Sequence, residues 1–347
     1  MPFQPGRMRP PRDVARPGHP EKRMQANLPV IDLAPSFGTD PDGPRAVARQ
    51  IDAACRRHGF FYVVGHGVPL ALISHLFMIN RRYFELPESI KNACHIERSG
   101  GLKRGYDPIG WQALEAGRPA DLKESFYLGA ERGPDDALVR ALTPNHGPNQ
   151  WPDEAHAPGF RQACETYAAA MERLGRHLMG LIALGLGLPR HHFDAFLHDP
   201  MPILRLLHYP PQQASRLDDQ IGSGAHTDWG GITLLAQDDA GGLQVRDEQG
   251  RWLDARPIEG SFVVNLGDLM QRWTNDAYRS TLHRVVNAQS GRDRHSIAYF
   301  FDVDYHARIE VLPTCCSADN PARHAPITAG EHIVEMYRRT TLTESIP

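Results

Sequence analysis

Apolar positions along the chain change period partway, and the change separates a helical section from a sheet section. Between Gly43 and Gly59, Val47, Ile51, Ala54 and Cys55 recur at three- and four-residue steps, which predicts a helix stopped by Gly59. "FFYVVGHGV" then reads as a short apolar strand. Pro69 opens a second helix through "LALISHLFMINRRYFEL", ended or kinked by Pro87. Between Ser99 and Pro152 a Gly/Pro-rich stretch is broken by strand candidates such as "ESFYLG". The clearest helix carries Phe160, Ala163, Cys164, Tyr167, Met171, Leu174, Leu178 and Ile182 on one 3.6-residue face and stops at "LGLGLP". From about Pro202 the period falls to two. "ILRLLHY", "GITLLAQ", "GLQVRD", "RWLDA", "SFVVNLG", "TLHRVVNA" and "RHSIAYFFDVD" are short runs separated by turn residues. They predict an antiparallel barrel or double-sheet jelly roll with helices wrapped around it.

The two ends are different material. "MPFQPGRMRPPRDVARPGHPEKRMQAN" is rich in Pro and Arg and nearly free of large apolar residues. Residues 1–27 are therefore expected to be a disordered leader, with Met24 an alternative start and order beginning at the strand "LPVIDLA". "TAGEHIVEMYRRT" reads as an amphipathic helix that packs back on the barrel or on a neighbouring subunit. At 347 residues and 41% hydrophobic the chain holds one large or two closely packed domains. The expected division is an N-terminal region 28–150, a long helix connector 151–200, a jelly-roll core 201–305 and a C-terminal helical extension 306–347. A formal charge of −3 gives no pull toward nucleic acid or an anionic membrane, so neither is an expected partner. No apolar run approaches the roughly 18 residues of a membrane span. Five cysteines without paired spacing favour a reducing compartment, and a cytoplasmic protein is expected.

One pair stands out in the sheet section. "GSGAHTDWGG" places His226 and Asp228 two apart within what reads as sheet. A His-x-Asp triplet arises by chance in such a composition, and His192 and Asp194 in "LPRHHFDAF" form another. That second pair sits in a helical pattern, where residues two apart diverge. On a strand they share a face, so His226 and Asp228 can offer an imidazole and a carboxylate to one ion. Gly224 and Gly230–Gly231 bracket them and let backbone come close. His283 in "STLHRVVN", sharing a face with Val285 and Asn287, is the third candidate ligand. Two His and one carboxylate on a sheet form the facial triad of non-haem Fe(II) enzymes. In the next run Arg294 and Ser296 share a face. An inward guanidinium needs a partner, either the distal carboxylate of a small diacid or an internal Asp or Glu.

"AHTDWGGITLLAQDDAGGLQV", "STLHRVVN" and "RHSIAYFF", preceded in order by "LPVIDLA", "HGFFYVVGHGVP", "RYFELPES", "RGY" and "DLKESFYLG", resemble the isopenicillin N synthase-like group of Fe(II)/2-oxoglutarate-dependent oxygenases. The resemblance implies an α+β, mainly β fold: a distorted double-stranded β-helix with an N-terminal helical region packed around it. It implies iron held by His226, Asp228 and His283. It implies 2-oxoglutarate held by Arg294 and Ser296, with Tyr209 of "LLHYP" facing the co-substrate. Leu207-His208-Tyr209-Pro210 departs from the Asn-Tyr-Tyr-Pro of many plant members and lacks their Asn. The implied activity is O2-dependent oxidation, most simply hydroxylation, of a small molecule, with release of succinate and CO2. Three alternatives share these residues: an oxidase of the same fold that uses no 2-oxoglutarate, an ethylene- and succinate-forming enzyme, and an inactive jelly-roll binding module. Candidate substrate-pocket walls are Trp229 and Phe126, with Phe301 expected to point away from the Arg294 face. Lys123 and Glu124 in "DLKES" are expected to pair with each other.

Overall fold

The structure, a computed structural model, describes residues 26–115, 117–211, 220–286 and 291–340; residues 1–25 of the Pro/Arg-rich stretch, and Asn287, lie outside the described residues. The strands that frame the site are β1 (Val30–Asp32), β2 (Phe60–Val64), β3 (Gly105–Asp107), β4 (Glu124–Gly129), β5 (Ile203–Tyr209), β6 (Ser223–His226), β7 (Ile232–Gln237), β8 (Leu243–Arg246), β9 (Trp252–Asp254), β10 (Phe262–Leu266), β11 (His283–Val285) and β12 (Arg294–Phe301). An eight-stranded sheet runs β1-β2-β10-β7-β12-β5-β4-β3, and a four-stranded sheet runs β6-β11-β8-β9. Together they form the double-stranded β-helix.

Strand alternation assigns residues to two layers. Phe60, Tyr62, Leu207, Tyr209, Val263 and Ala298 of the larger sheet pack with Leu243, Val245 and Val285 of the smaller one, filling the space between the sheets. The other face of the larger sheet, with Leu204, Leu206, Ile297 and Phe301, packs against the helices Gly43–Arg57, Leu70–Phe84 and Phe160–Gly185. Every apolar position read on the periodic face of the longest helix is buried. Burying each large side chain there contributes roughly 1.5–3 kcal/mol. Gly175 lets that helix approach β12, because a Cβ at this position would meet the Phe301 ring at 2.8 Å.

The structure corrects several expectations. The strand carrying His226 ends at that residue, and Asp228 lies in the loop that follows. Lys123 and Glu124 do not pair. Consecutive residues entering β4 point to opposite sides: Lys123 meets Asp121, while Glu124 meets Lys91 at 2.7 Å. Phe126 takes the helix-side face of β4 and packs edge-on against Tyr83 and Phe160, so it belongs to the core. The C-terminal helix, Ala329–Thr340, packs on the barrel and sends His332 Nε2 to within 2.9 Å of the Trp229 carbonyl. No described helix is long and apolar enough to cross a membrane. All five cysteines are free thiols.

Candidate metal centre

β6 and β11 are antiparallel neighbours whose register sets His226 directly opposite His283, with ring centroids 4.3 Å apart. Asp228 joins them from its loop, which is pinned in place. The Asp228 and Trp229 carbonyls accept the backbone N–H groups of Asp268 (2.8 Å) and Leu269 (3.0 Å), and Thr227 Oγ1 donates to Asp268 Oδ2 at 3.0 Å. Gly230 and Gly231 make the tight return. Any Cβ at Gly230 would overlap the Asp302 carboxylate, which accepts the Gly231 N–H at 2.7 Å. Asp228 thus reaches the same point by loop anchoring rather than by strand alternation. The decoy pair does not converge on an ion. His192 and Asp194 sit in a short 3-10 helix, and Asp194 is held by His191 at 3.0 Å.

Asp228 Oδ1 lies 3.9 Å from His226 Nε2 and 3.7 Å from His283 Nε2. These residues form the one group of three or more ligand-type side chains within mutual reach among the described residues. Every other polar atom of the three is already engaged. His226 Nδ1 meets the Gly224 carbonyl at 2.7 Å and His283 Nδ1 the Thr281 carbonyl at 3.1 Å. Each ring therefore carries its proton on Nδ1 and turns a lone pair on Nε2 inward. Asp228 Oδ2 accepts from Thr233 Oγ1 at 2.5 Å and Asn265 Nδ2 at 2.6 Å, which leaves Oδ1 free. Burial, reinforced by His283, holds the His226 imidazole well below its ordinary pKa. Burial opposes the Asp228 charge, but the two imidazoles and the Thr233 and Asn265 donors outweigh it and keep the carboxyl below its usual range. Neutral imidazoles and an ionised carboxylate are the protonation states a divalent cation requires. The three ligand atoms all lie within 4.8 Å of one another, close enough for His226, Asp228 and His283 to hold one such ion together.

The triad opens into a cavity of about 60 Å³ between the sheets. Arg294 and Ser296, from β12, line it together with Tyr209, whose ring lies 4.6 Å beneath the Arg294 guanidinium. Arg294 is 1% exposed. It donates to the Gly241 carbonyl (2.6 Å), Ser296 Oγ (3.0 Å) and Gln237 Oε1 (3.0 Å). None of these partners is a carboxylate, so the internal salt bridge weighed for this residue is absent among the described residues. Leu207, at the position of the missing Asn, also lines the cavity. Trp229 does not; the aromatic and apolar walls include Phe60, Leu235 and Phe300.

Sequence reading missed three residues here. Thr233 and Asn265 are opposite each other in β7 and β10 and converge on Asp228, which only the pairing of distant strands reveals. Arg205 also enters the cavity. Its signal was present in "ILRLLHY", where an arginine occupies the face shared by Leu207 and Tyr209.

The model of the 2OG-Fe(II) oxygenase superfamily matches residues 200–303, and that of the non-haem dioxygenase in morphine synthesis N-terminal region matches residues 28–154. The chain is 38% identical over 316 residues to the 2-oxoglutarate-Fe(II) type oxidoreductase hxnY of Emericella nidulans, covering 90% of each chain. It is 40% identical over 327 residues to the 2-oxoglutarate-dependent dioxygenase citB of Monascus ruber, covering 92% of this chain and 96% of that one. A full-length Neurospora crassa protein, solved in complex with alpha-KG and thymine, superposes with a TM-score of 0.81 at 30% identity, over 93% of this chain and 99% of that one. The chain therefore belongs to the 2-oxoglutarate- and Fe(II)-dependent oxygenase superfamily, as an oxidoreductase that uses Fe(II), 2-oxoglutarate and O2 on a small-molecule substrate.

Proposed function

We propose that His226, Asp228 and His283 hold the Fe(II), that Arg294 and Ser296 receive the distal carboxylate of 2-oxoglutarate over the Tyr209 ring, and that the reaction is hydroxylation of a small polar substrate. The observation that carries this reading is the buried Arg294 guanidinium, which has no carboxylate among its partners and shares a cavity with the triad. A buried cation of this kind is stabilised when a small dianion brings one carboxylate to it and the other end to the metal. Bound Fe(II) supplies the activation of dioxygen and couples the decarboxylation of 2-oxoglutarate to oxidation of the substrate. The protein's residues position the reactants and exclude water. Leu207, Leu235, Val285 and Phe300 keep the cavity between the sheets apolar, and Ser296 orients the guanidinium. That the Neurospora crassa protein is solved with thymine supports a compact, polar substrate.

Anaerobic addition of 2-oxoglutarate to the Fe(II) protein should give a visible charge-transfer band, and aeration should release succinate. Asp228→Ala should retain the fold by circular dichroism and lose both signals. Arg294→Met should keep the Fe(II) affinity and raise the 2-oxoglutarate concentration needed for half the band by about 10- to 100-fold. An Arg294→Met protein that binds 2-oxoglutarate as the parent does would overturn the co-substrate assignment.

A further inference from the structure

The cavity has a second buried cation, and its surroundings differ from those of the first. Arg205 lies on β5 four residues before Tyr209 and pairs across to Ala298, four residues along β12 from Arg294. The two arginines are thus about 13 Å apart along the strands. Thr233, which holds Asp228, pairs with Phe300 on the Arg205 side of that span. Arg205 is therefore at the metal end of the cavity and Arg294 at the far end.

Arg205 is fixed in place. Its Nε and Nη2 groups donate to Ser125 Oγ at 3.1 and 2.9 Å, Nη2 also to Gln112 Oε1 at 3.0 Å, and the guanidinium stacks 4.3 Å over the Tyr127 ring. Asp107 Oδ2, which accepts from Ser125 Oγ at 3.1 Å, stands 3.5 Å from Nη2. Among the described residues Nη1 donates to nothing. Beside this group a buried Lys123–Asp121 pair ties the wall to the metal strand, since Asp121 Oδ1 accepts the Gly224 N–H at 2.9 Å. Charges in this wall cancel in pairs, Arg205 with Asp107 and Lys123 with Asp121. Arg294 has no such counter-charge.

We propose that Arg205 anchors the substrate through Nη1 and that the group it takes is a neutral carbonyl oxygen, of an amide, lactam or cyclic urea, rather than a carboxylate. This inference rests on the Fe(II)/2-oxoglutarate reading of the same cavity. The two guanidiniums sort the ligands by charge. The unpaired one takes the dianionic co-substrate, and the one already facing Asp107 takes a neutral acceptor near the metal. A second carboxylate at Arg205 would face Asp107 across one shared cation, a desolvated like-charge contact. A carbonyl oxygen completes the guanidinium without adding charge.

The test uses the Fe(II) protein with 2-oxoglutarate and two sets of probes: benzamide, 2-piperidone and uracil against benzoate and cyclohexanecarboxylate. Stimulation of succinate release by at least one carbonyl probe, above any carboxylate, is expected. Arg205→Met should raise the KM for that probe by about 10- to 100-fold with a smaller change in kcat, and Arg205→Lys should recover part of it. Asp107→Asn, which frees the charge of Arg205, should move the preference toward the carboxylates, a change that a purely structural role would not produce. Stimulation by carboxylates alone, or by none of the probes, overturns the proposal. So does an Arg205→Met protein that keeps its KM, or one that loses the anaerobic charge-transfer band, since Arg205 would then serve the co-substrate. If the unsubstituted protein gives no band, the Fe(II)/2-oxoglutarate reading fails instead, and the two failures are distinguishable.

Discussion

Asp228 is held by two donors from neighbouring strands, and removing either one should weaken the metal before it weakens the fold. Thr233 Oγ1 and Asn265 Nδ2 both reach Oδ2, at 2.5 and 2.6 Å, and both residues are buried. A hydrogen bond to a charged group contributes about 1.5–3 kcal/mol. Loss of an outer hydrogen-bond partner of a metal ligand lowers metal affinity by about 10- to 100-fold, which is the same range expressed as a ratio. Thr233→Val keeps the side-chain volume and deletes the hydroxyl, and Asn265→Leu deletes the amide. Each should raise the Fe(II) concentration for half-maximal charge-transfer absorbance, under argon with saturating 2-oxoglutarate, by about 10-fold or more. Thr233→Ser, which restores the donor, should return most of it. Because both donors share one oxygen, the double variant should lose less than the product of the single effects. If Thr233→Val binds Fe(II) within twofold of the parent while remaining folded, then Oδ2 is not being held in reserve by this pair. Asp228 would then have no oriented free oxygen to give.

Two further outcomes follow from the same structure. Gly230→Ala places a methyl group inside the Asp302 carboxylate and should lower stability by about 1–3 kcal/mol and cut turnover, because the displaced loop carries Asp228; an unchanged Tm would remove the close-approach argument. His208 bridges Glu124 Oε1 and Asp293 Oδ1 at 2.7 Å each and stacks on His295 at 4.8 Å. Burial opposes its charge, but the Glu124 and Asp293 hydrogen bonds outweigh burial and raise its pKa above 6.5. Its stabilisation is therefore complete below the ordinary histidine range and fades as the pH climbs through the raised value. The Tm penalty of His208→Gln should be larger at pH 6 than at pH 9, and a penalty independent of pH would show that His208 is neutral throughout.

How much of this was legible in the chain depends on whether an interaction is local. The long helix, the strands "ILRLLHY" and "ESFYLG", and the helices after Gly43 and Pro69 follow from periodicity and punctuation, and the structure places them where the pattern does. Convergence of His226 with His283 needed only two strands to pair. Asp228 was reached for a different reason than the spacing suggested. The strand stops at His226, and the carboxylate is delivered by a loop whose hydrogen bonds run to Asp268 and Leu269, some forty residues away. An aromatic in a strand has no sequence mark of its face; in β4, Ser125 and Tyr127 turn to Arg205 and Phe126 to the helices.

The same alternation makes the two arginines unequally legible. Arg294 has Ser296 two residues on, and a guanidinium beside a hydroxyl suggests an anion. Arg205 shares its face only with Ile203, Leu207 and Tyr209, and its partners Ser125, Gln112 and Asp107 come from eighty or more residues upstream. A buried arginine in an apolar strand has to find its hydrogen bonds somewhere. What the partners are then decides the use of the charge. Carbonyl, hydroxyl and amide oxygens leave Arg294 its full charge for an incoming anion, whereas a carboxylate beside Arg205 leaves mainly a donor. The difference in charge between the two arginines thus rests on Asp107, which lies outside the strands of the proposed metal site.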